Sequence, residues 1–152
     1  MAAPELKTFD DIMKFAVSKE EEAAQTYRNL AKNAKSGAKK LFEELARQEE
    51  GHKKKLLRIE VSSLPSGPAS RVPDLRISEY LAGGEVKSDS PYQDVLIYAM
   101  KREEASVALY SDLAKVATAD SARTLFTLLA EEERKHKLRL EKEYDDNVLK
   151  EN

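Results

Sequence analysis

The feature that most constrains this fold is an internal repeat. Residues 9–16 read FDDIMKFA and residues 92–99 read YQDVLIYA, an offset of 83. Residues 38–46 read AKKLFEELA and residues 122–130 read ARTLFTLLA, an offset of 84. Similar segments at nearly constant separation indicate a duplicated helical hairpin that packs against its own copy. The change of offset places one extra residue in the turn of the second copy.

Helix formers and helix breakers are separated along the chain. Charged residues make up 36% of the sequence, whereas only five glycines and five prolines are present. Four of these prolines and three of these glycines lie between Pro65 and Pro91. Helices are therefore predicted on both sides of this segment, where breakers are scarce. The predicted ranges are about 9–34, 37–62, 92–117 and 121–147.

Cap signals support these helix starts. Thr8 is the predicted N-cap of the first helix, and Asp11 closes a capping box with it. Before the third helix, Ser90 is the predicted cap, Pro91 occupies the first helical position, and Gln93 can reach back to the cap. The fourth helix is predicted to start at Ser121 with Asp120 as its cap.

Connection lengths predict the topology. Short turns within each pair make the paired helices antiparallel, whereas residues 63–91 form a long crossover with one helical turn expected at 77–81. Either hairpin alone would leave an apolar face unburied. We therefore expect an all-α four-helix bundle, with residues 1–152 forming a single domain built from two repeated hairpins.

The composition narrows the function classes. The chain has no cysteine, which excludes thiol catalysis, iron–sulfur clusters and rubredoxin-type iron sites. The 26 basic and 28 acidic residues give a net charge of −2, without the basic surface that nucleic-acid binding requires. No apolar run approaches ~18 residues, and the N-terminus lacks a hydrophobic signal core. We expect a soluble cytoplasmic protein with no nucleic-acid or membrane partner.

Two of the predicted apolar stripes contain a buried Glu-x-x-His motif. The second and fourth helices carry Glu49 with His52 and Glu133 with His136. Both motifs lie on stripes with the alternating three- and four-residue spacing of a bundle core. The stripe positions are 38, 42, 45, 49, 52, 56 and 59 in one helix and 122, 126, 129, 133, 136 and 140 in the other.

The other two stripes each contain a glutamate followed by a tyrosine. The first helix carries Glu20 and Tyr27, and the third carries Glu103 and Tyr110. Each tyrosine lies two turns beyond its glutamate on the same face. As a core residue, each tyrosine either only packs against apolar neighbours or also donates a hydrogen bond from its hydroxyl group to a buried glutamate.

Six polar residues are thus predicted at one level of the core. Carboxylates and imidazoles cannot remain charged there without compensation, because desolvating each ion costs several kcal/mol. Two divalent cations would balance the four carboxylates, and the mixed ligand set suits iron, manganese or zinc. The pattern resembles that of ferritin-like di-iron and di-manganese proteins. The predicted ligands are Glu20, Glu49, His52, Glu103, Glu133 and His136.

These motifs resemble those of the rubrerythrin family over about 9–60 and 92–147. The resemblance implies a non-haem centre of two iron ions per chain that reduces hydrogen peroxide or dioxygen. It also implies electrons from a partner such as a rubredoxin, and a homodimer or larger homo-oligomer. By position, the resemblance implies that the four glutamates are terminal and bridging carboxylate ligands and that the two histidines are nitrogen ligands. Tyr27 and Tyr110 are expected next to these ligands.

Two departures from the family pattern keep alternatives open. The missing cysteines mean that this chain carries no rubredoxin domain, so its electron donor is a separate molecule. The family commonly has an additional glutamate where this chain has Ser106. Ferroxidase chemistry for iron storage or delivery is therefore an alternative to peroxide reduction. A metal-free bundle in which the glutamates and histidines form ion pairs is the third interpretation.

Overall fold

All the long elements that the structure describes are α-helices. The computed structural model describes residues 6–34, 36–72, 75, 80 and 90–148. The long helices within these ranges are α1 (Phe9–Asn33), α2 (Ser36–Leu57), α3 (Tyr92–Val116) and α4 (Asp120–Asn147). Short 3-10 helices lie at Val61–Ser63 and Ala69–Arg71. The predicted all-α class is confirmed.

The helix bounds reproduce the repeat. Two residues separate α1 from α2, and three separate α3 from α4, so the second turn has the extra residue that the offsets predict. The chain divides into two compact units, residues 1–73 with 117–122 and residues 74–116 with 123–152. The first unit contains the α1–α2 hairpin, and the second contains α3 with all of α4 beyond Ala122.

The start of α1 has the predicted capping box. The Thr8 hydroxyl accepts a hydrogen bond from the Asp11 backbone N–H, and the Asp11 carboxylate accepts one from the Thr8 backbone N–H, each at 3.1 Å. The bond from the Thr8 N–H is the main cause that lowers the pKa of Asp11. The backbone N–H of Ala69 donates to the Lys7 carbonyl at 2.8 Å and ties the second 3-10 helix to this cap.

Thr8→Ala is expected to lower the free energy of unfolding by about 1 kcal/mol, because the first turn of α1 loses a side-chain acceptor. Urea denaturation measures the change. Thr26→Ala is the matched control, since the Thr26 hydroxyl bonds only to the Glu22 carbonyl within the helix and alanine is the better helix former. Equal losses in both variants would contradict the capping role.

The end of α2 differs from the prediction, because the helix ends at Leu57 rather than near residue 62. The backbone N–H groups of Arg58 and Ile59 donate to carbonyls three residues back, which tightens the last turn. Glu60 is then extended, and the 3-10 helix Val61–Ser63 follows. β-Branched residues and the following Pro65 disfavour a further α-helical turn.

The third helix begins at Tyr92, as predicted. The backbone N–H of Val95 donates to the Pro91 carbonyl at 3.1 Å, as expected for a helix beginning here. The Gln93 amide donates to the Tyr144 hydroxyl at 3.2 Å. The Tyr92 hydroxyl donates to Glu143 at 2.7 Å. Burial and this carboxylate raise the pKa of Tyr92, so the phenol keeps its proton.

Two further predictions concern a membrane partner and a helical turn in the crossover. No helix in the described ranges has an apolar stretch of the length that crossing a bilayer requires. The helical turn predicted at 77–81 lies outside the described residues except for Tyr80.

Candidate metal centre

The first hairpin brings together Glu20 from α1 and the Glu49-x-x-His52 motif from α2. All three side chains are at most 2% exposed. The two α2 residues lie three apart on one helix face, and α1 supplies the carboxylate opposite them. The imidazole Nδ1 of His52 lies 3.7 Å from a Glu20 oxygen and 3.6 Å from a Glu49 oxygen. We call these residues the first triad.

The second hairpin repeats this arrangement with Glu103 from α3 and the Glu133-x-x-His136 motif from α4. These side chains are also at most 2% exposed. Nδ1 of His136 lies 3.7 Å from a Glu103 oxygen and 3.9 Å from a Glu133 oxygen. We call these residues the second triad. The duplicated sequence thus gives two triads with the same composition and nearly the same spacing.

The geometry of each triad fits a bound metal ion. In each triad, the three residues offer one ligand atom each, and these three atoms lie within 4.8 Å of one another. The imidazole–carboxylate distances exceed the length of a hydrogen bond. Ligand atoms that are each about 2.1 Å from a common ion lie roughly 3–4 Å apart, which is the spacing found here. Each triad therefore has donors of the type, burial and separation that suit a divalent transition metal.

A stacked aromatic pair lies on the same stripe as each triad. The Tyr27 ring stacks on Phe42 with centroids 6.3 Å apart, and the Tyr110 ring stacks on Phe126 at 6.4 Å. The four rings are almost completely buried. Both tyrosines therefore have the packing role that was expected, while the second role beside the ligand carboxylates stays a prediction.

We expect Tyr27→Phe and Tyr27→Ala to differ strongly in stability. The phenylalanine keeps the ring stack, and its cost is about 0.5–1.5 kcal/mol, the usual range for one lost hydrogen bond. The alanine leaves a cavity, and its cost is about 3–5 kcal/mol. Thermal unfolding of both variants measures this difference. A phenylalanine variant as unstable as the alanine variant would contradict the packing role.

The residues after the triad glutamates of α1 and α3 each form an ion pair across their own hairpin. Lys53 lies 2.8 Å from Glu21, and Lys137 lies 3.9 Å from Glu104. These pairs occupy equivalent positions in the two repeats. Their side chains are partly exposed, so solvent screens the attraction within each pair. Glu50 also pairs with Arg28 at the surface. Glu21, Glu50 and Glu104, which are adjacent to triad glutamates, thus lie toward solvent.

One buried polar pair was not predicted. The Tyr80 hydroxyl donates to the Asp112 carboxylate, and both side chains are buried. Lys115 lies 3.9 Å from the same carboxylate but is largely exposed. Asp112 directly precedes a stripe position of α3, where an aspartate is ordinarily at the surface. No spacing in the sequence connects it with a tyrosine thirty-two residues earlier.

The fold agrees with the comparisons to known structures. A hypothetical protein from Pyrococcus furiosus is 22% identical, with a TM-score of 0.68 over 88% of this chain and 85% of that one. A candidate ferritin-like diiron-carboxylate protein from Thermotoga maritima is 23% identical, with a TM-score of 0.67 over 92% of this chain and 95% of that one. The fold is therefore ferritin-like. No curated protein matches the chain.

The family assignment is more specific than the fold. The family model for rubrerythrin matches residues 11–72 and 94–152. These two segments contain both triads and leave out most of the segment between the hairpins. The chain belongs to the rubrerythrin family, and the resemblance seen in its motifs is confirmed.

Proposed function

We propose that the two triads together bind two iron ions and that the protein reduces hydrogen peroxide with electrons from a separate donor. The observation that carries this proposal is the occurrence of the same buried Glu and Glu-x-x-His triad in both hairpins of a rubrerythrin family member. A single buried triad would suit a structural ion. Two equivalent triads suit a two-electron reaction, since each supplies a set of ligands for one redox-active ion.

The proposed roles of the protein residues follow from their chemistry. The four glutamates supply four negative charges, which offset the charge of two divalent ions in a medium that solvates ions poorly. A histidine binds a divalent ion through the lone pair of a ring nitrogen, and Nδ1 of His52 and of His136 is the nitrogen that lies near the triad carboxylates. Burial at both triads excludes bulk water and keeps the ligands in fixed positions.

The overall reaction balances as one peroxide, two protons and two electrons giving two waters. Two iron ions held by the two triads would supply the two electrons, one from each ion. The chain has no cysteine and so holds no thiol or iron–sulfur reductant of its own. The electrons that restore the reduced state come from a separate reductant, for which a rubredoxin is the proposed class.

Peroxide titration of the reduced protein tests this proposal. The protein is loaded anaerobically with two ferrous ions per chain and then receives substoichiometric peroxide. We expect rapid oxidation of two iron ions per peroxide and steady turnover when a reductant is added. Oxidation no faster than that of free ferrous ion in the same buffer would contradict the proposal.

Iron oxidation for storage or delivery is the second candidate function. Ser106 favours it, because this serine stands where many family members have an additional glutamate and leaves each triad with the same ligand set. Aerobic addition of ferrous ion separates the two functions. Uptake far beyond two irons per chain would support storage, whereas saturation at two with peroxide-dependent turnover supports the peroxidase.

A further inference from the structure

The α2 and α4 sides of the two triads are covered in the same way. The residues four and three positions before each Glu-x-x-His glutamate are buried in both helices, namely Leu45 and Ala46 in α2 and Leu129 and Ala130 in α4. The histidine three positions after each glutamate is also buried, and the lysine that follows it is partly exposed in both helices. These two helices therefore do not distinguish the surroundings of one triad from those of the other.

The α1 and α3 sides of the triads differ in the turn that follows the glutamate. On α1, Ala23 and Ala24 lie three and four residues after Glu20 and are 4% and 0% exposed. With the repeat offset of 83, their equivalents on α3 are Ser106 and Val107, which are both partly exposed. The turn before the glutamate has the same burial in both helices. The surroundings of the second triad thus differ from those of the first at one turn of α3.

Ser106 and Val107 cover the turn of α3 that carries Glu103. Side chains on a helix lean toward its N-terminus, so each residue covers the turn before its own. Residues three and four positions after Glu103 lie on the same helix face, one on either side of its direction. These two side chains reach the surface, whereas Glu103 is 2% exposed. Solvent therefore approaches to within about one helical turn of this glutamate, and only Ser106 and Val107 cover it on its own helix.

Ser106 places a small hydroxyl group at this turn, where Ala23 has only a methyl group. Serine is a poorer helix former than alanine, so the stability of α3 does not account for the serine. A serine hydroxyl both donates and accepts hydrogen bonds. Hydrogen peroxide also donates and accepts hydrogen bonds, whereas dioxygen has no hydrogen to donate. A small, polar opening beside the second triad therefore matches hydrogen peroxide better than dioxygen.

We propose that Ser106 and Val107 form the entrance through which the oxidant reaches the second triad, and that the Ser106 hydroxyl selects hydrogen peroxide by hydrogen bonding. This inference rests on the proposed function and adds to it the route of the substrate and the residue that discriminates between oxidants. The equivalent turn of α1 is closed by two buried alanines. The two triads, although alike in their ligands, are thus unequal in access from solvent.

Ser106→Leu tests the entrance, because leucine is a strong helix former and its bulk covers the turn at Glu103. The variant is loaded with two irons per chain and oxidised, and the association of azide is followed by stopped-flow absorbance. We expect azide to associate roughly tenfold more slowly than with the wild type, since close-packed side chains leave few openings larger than a water molecule. Metal analysis and circular dichroism establish that the variant is loaded and folded.

Ala105→Leu is the matched control for this variant. Ala105 is partly exposed and directly precedes Ser106, but it lies on the face of α3 opposite to Glu103. We expect this leucine to leave the association of azide at the wild-type rate. If the Ser106→Leu variant lost iron, Ser106→Val would take its place in the same comparison, because its side chain is smaller.

Ser106→Ala tests the selection, because it keeps the entrance open and removes only the hydroxyl group. We expect kcat/KM for hydrogen peroxide to fall about two- to tenfold, the usual effect of one lost hydrogen bond. Oxidation of the reduced protein by dioxygen is expected at the wild-type rate. Equal losses with both oxidants, or no loss with peroxide, would overturn the selecting role of Ser106.

Two results would overturn the entrance. They are a loaded leucine variant that binds azide as fast as the wild type does, and a control variant that is slowed as much as the leucine variant. A wild-type protein that binds iron and azide but reduces no peroxide would overturn the proposed function and, with it, the selecting role of Ser106. The azide rates would still decide the entrance in that case.

Discussion

Replacing Glu49 with glutamine is expected to reduce the iron content below two ions per chain and to lower peroxide turnover more than 100-fold. The amide removes a negative charge and a strong donor from the first triad. Substituting a residue that only orients a metal ligand already lowers metal affinity or activity by about 10–100-fold. Loss of a ligand itself is expected to exceed that range. Metal analysis and steady-state turnover measure the two effects.

Glu50→Gln is the control for this variant. It makes the same chemical change one residue further along α2, where the side chain is 44% exposed and pairs with Arg28. We expect it to retain both irons and nearly full activity. Full iron content and activity in Glu49→Gln would contradict the assignment of Glu49 as a ligand. An equal loss in both variants would point to a general effect on α2.

Removing the metal is expected to lower the melting temperature by about 5–11 °C for each ion. A ligand that binds only the folded state at 100 times its dissociation constant stabilises it by about 2.7 kcal/mol. For a chain of this length, each kcal/mol corresponds to roughly 2–4 °C. Differential scanning calorimetry with and without a chelator measures the shift. An unchanged melting temperature would contradict metal binding by the folded state.

The metal-free protein distinguishes a metal site from structural ion pairs. Without the ions, the triads hold buried carboxylates close together, and their desolvation opposes folding. Glu49→Gln should therefore melt at the same temperature as the metal-free wild type or higher. If Glu49 and His52 were instead a stabilising ion pair, this variant would melt lower, because breaking a buried pair costs about 3–5 kcal/mol.

Much of the fold was predictable because the repeat and the helix periodicity act locally. A buried stripe requires apolar residues three and four positions apart, and this spacing is visible without a structure. Polar residues on such a stripe are conspicuous, so the six triad residues could be named from the sequence. The same periodicity predicted the burial of Phe42 and Phe126, which are fully buried.

The features that were not predicted depend on contacts between distant residues. The stripe of α2 continues to Ile59, but the helix ends at Leu57 because the next segment forms a 3-10 helix. The backbone N–H of Thr118 donates to the Ser63 carbonyl at 2.8 Å and holds that segment. The pair between Tyr80 and Asp112 is likewise nonlocal. Periodicity carries no information on such contacts.

Metal analysis of the purified protein, combined with absorbance spectra before and after peroxide addition, tests the central claim most directly. The protein is isolated without added metal beside its Glu49→Gln variant. The account predicts two irons per wild-type chain, an absorbance change on peroxide addition that is typical of a coupled iron pair, and loss of both features in the variant. A wild-type chain without metal, or a variant that keeps its full iron content, would contradict it.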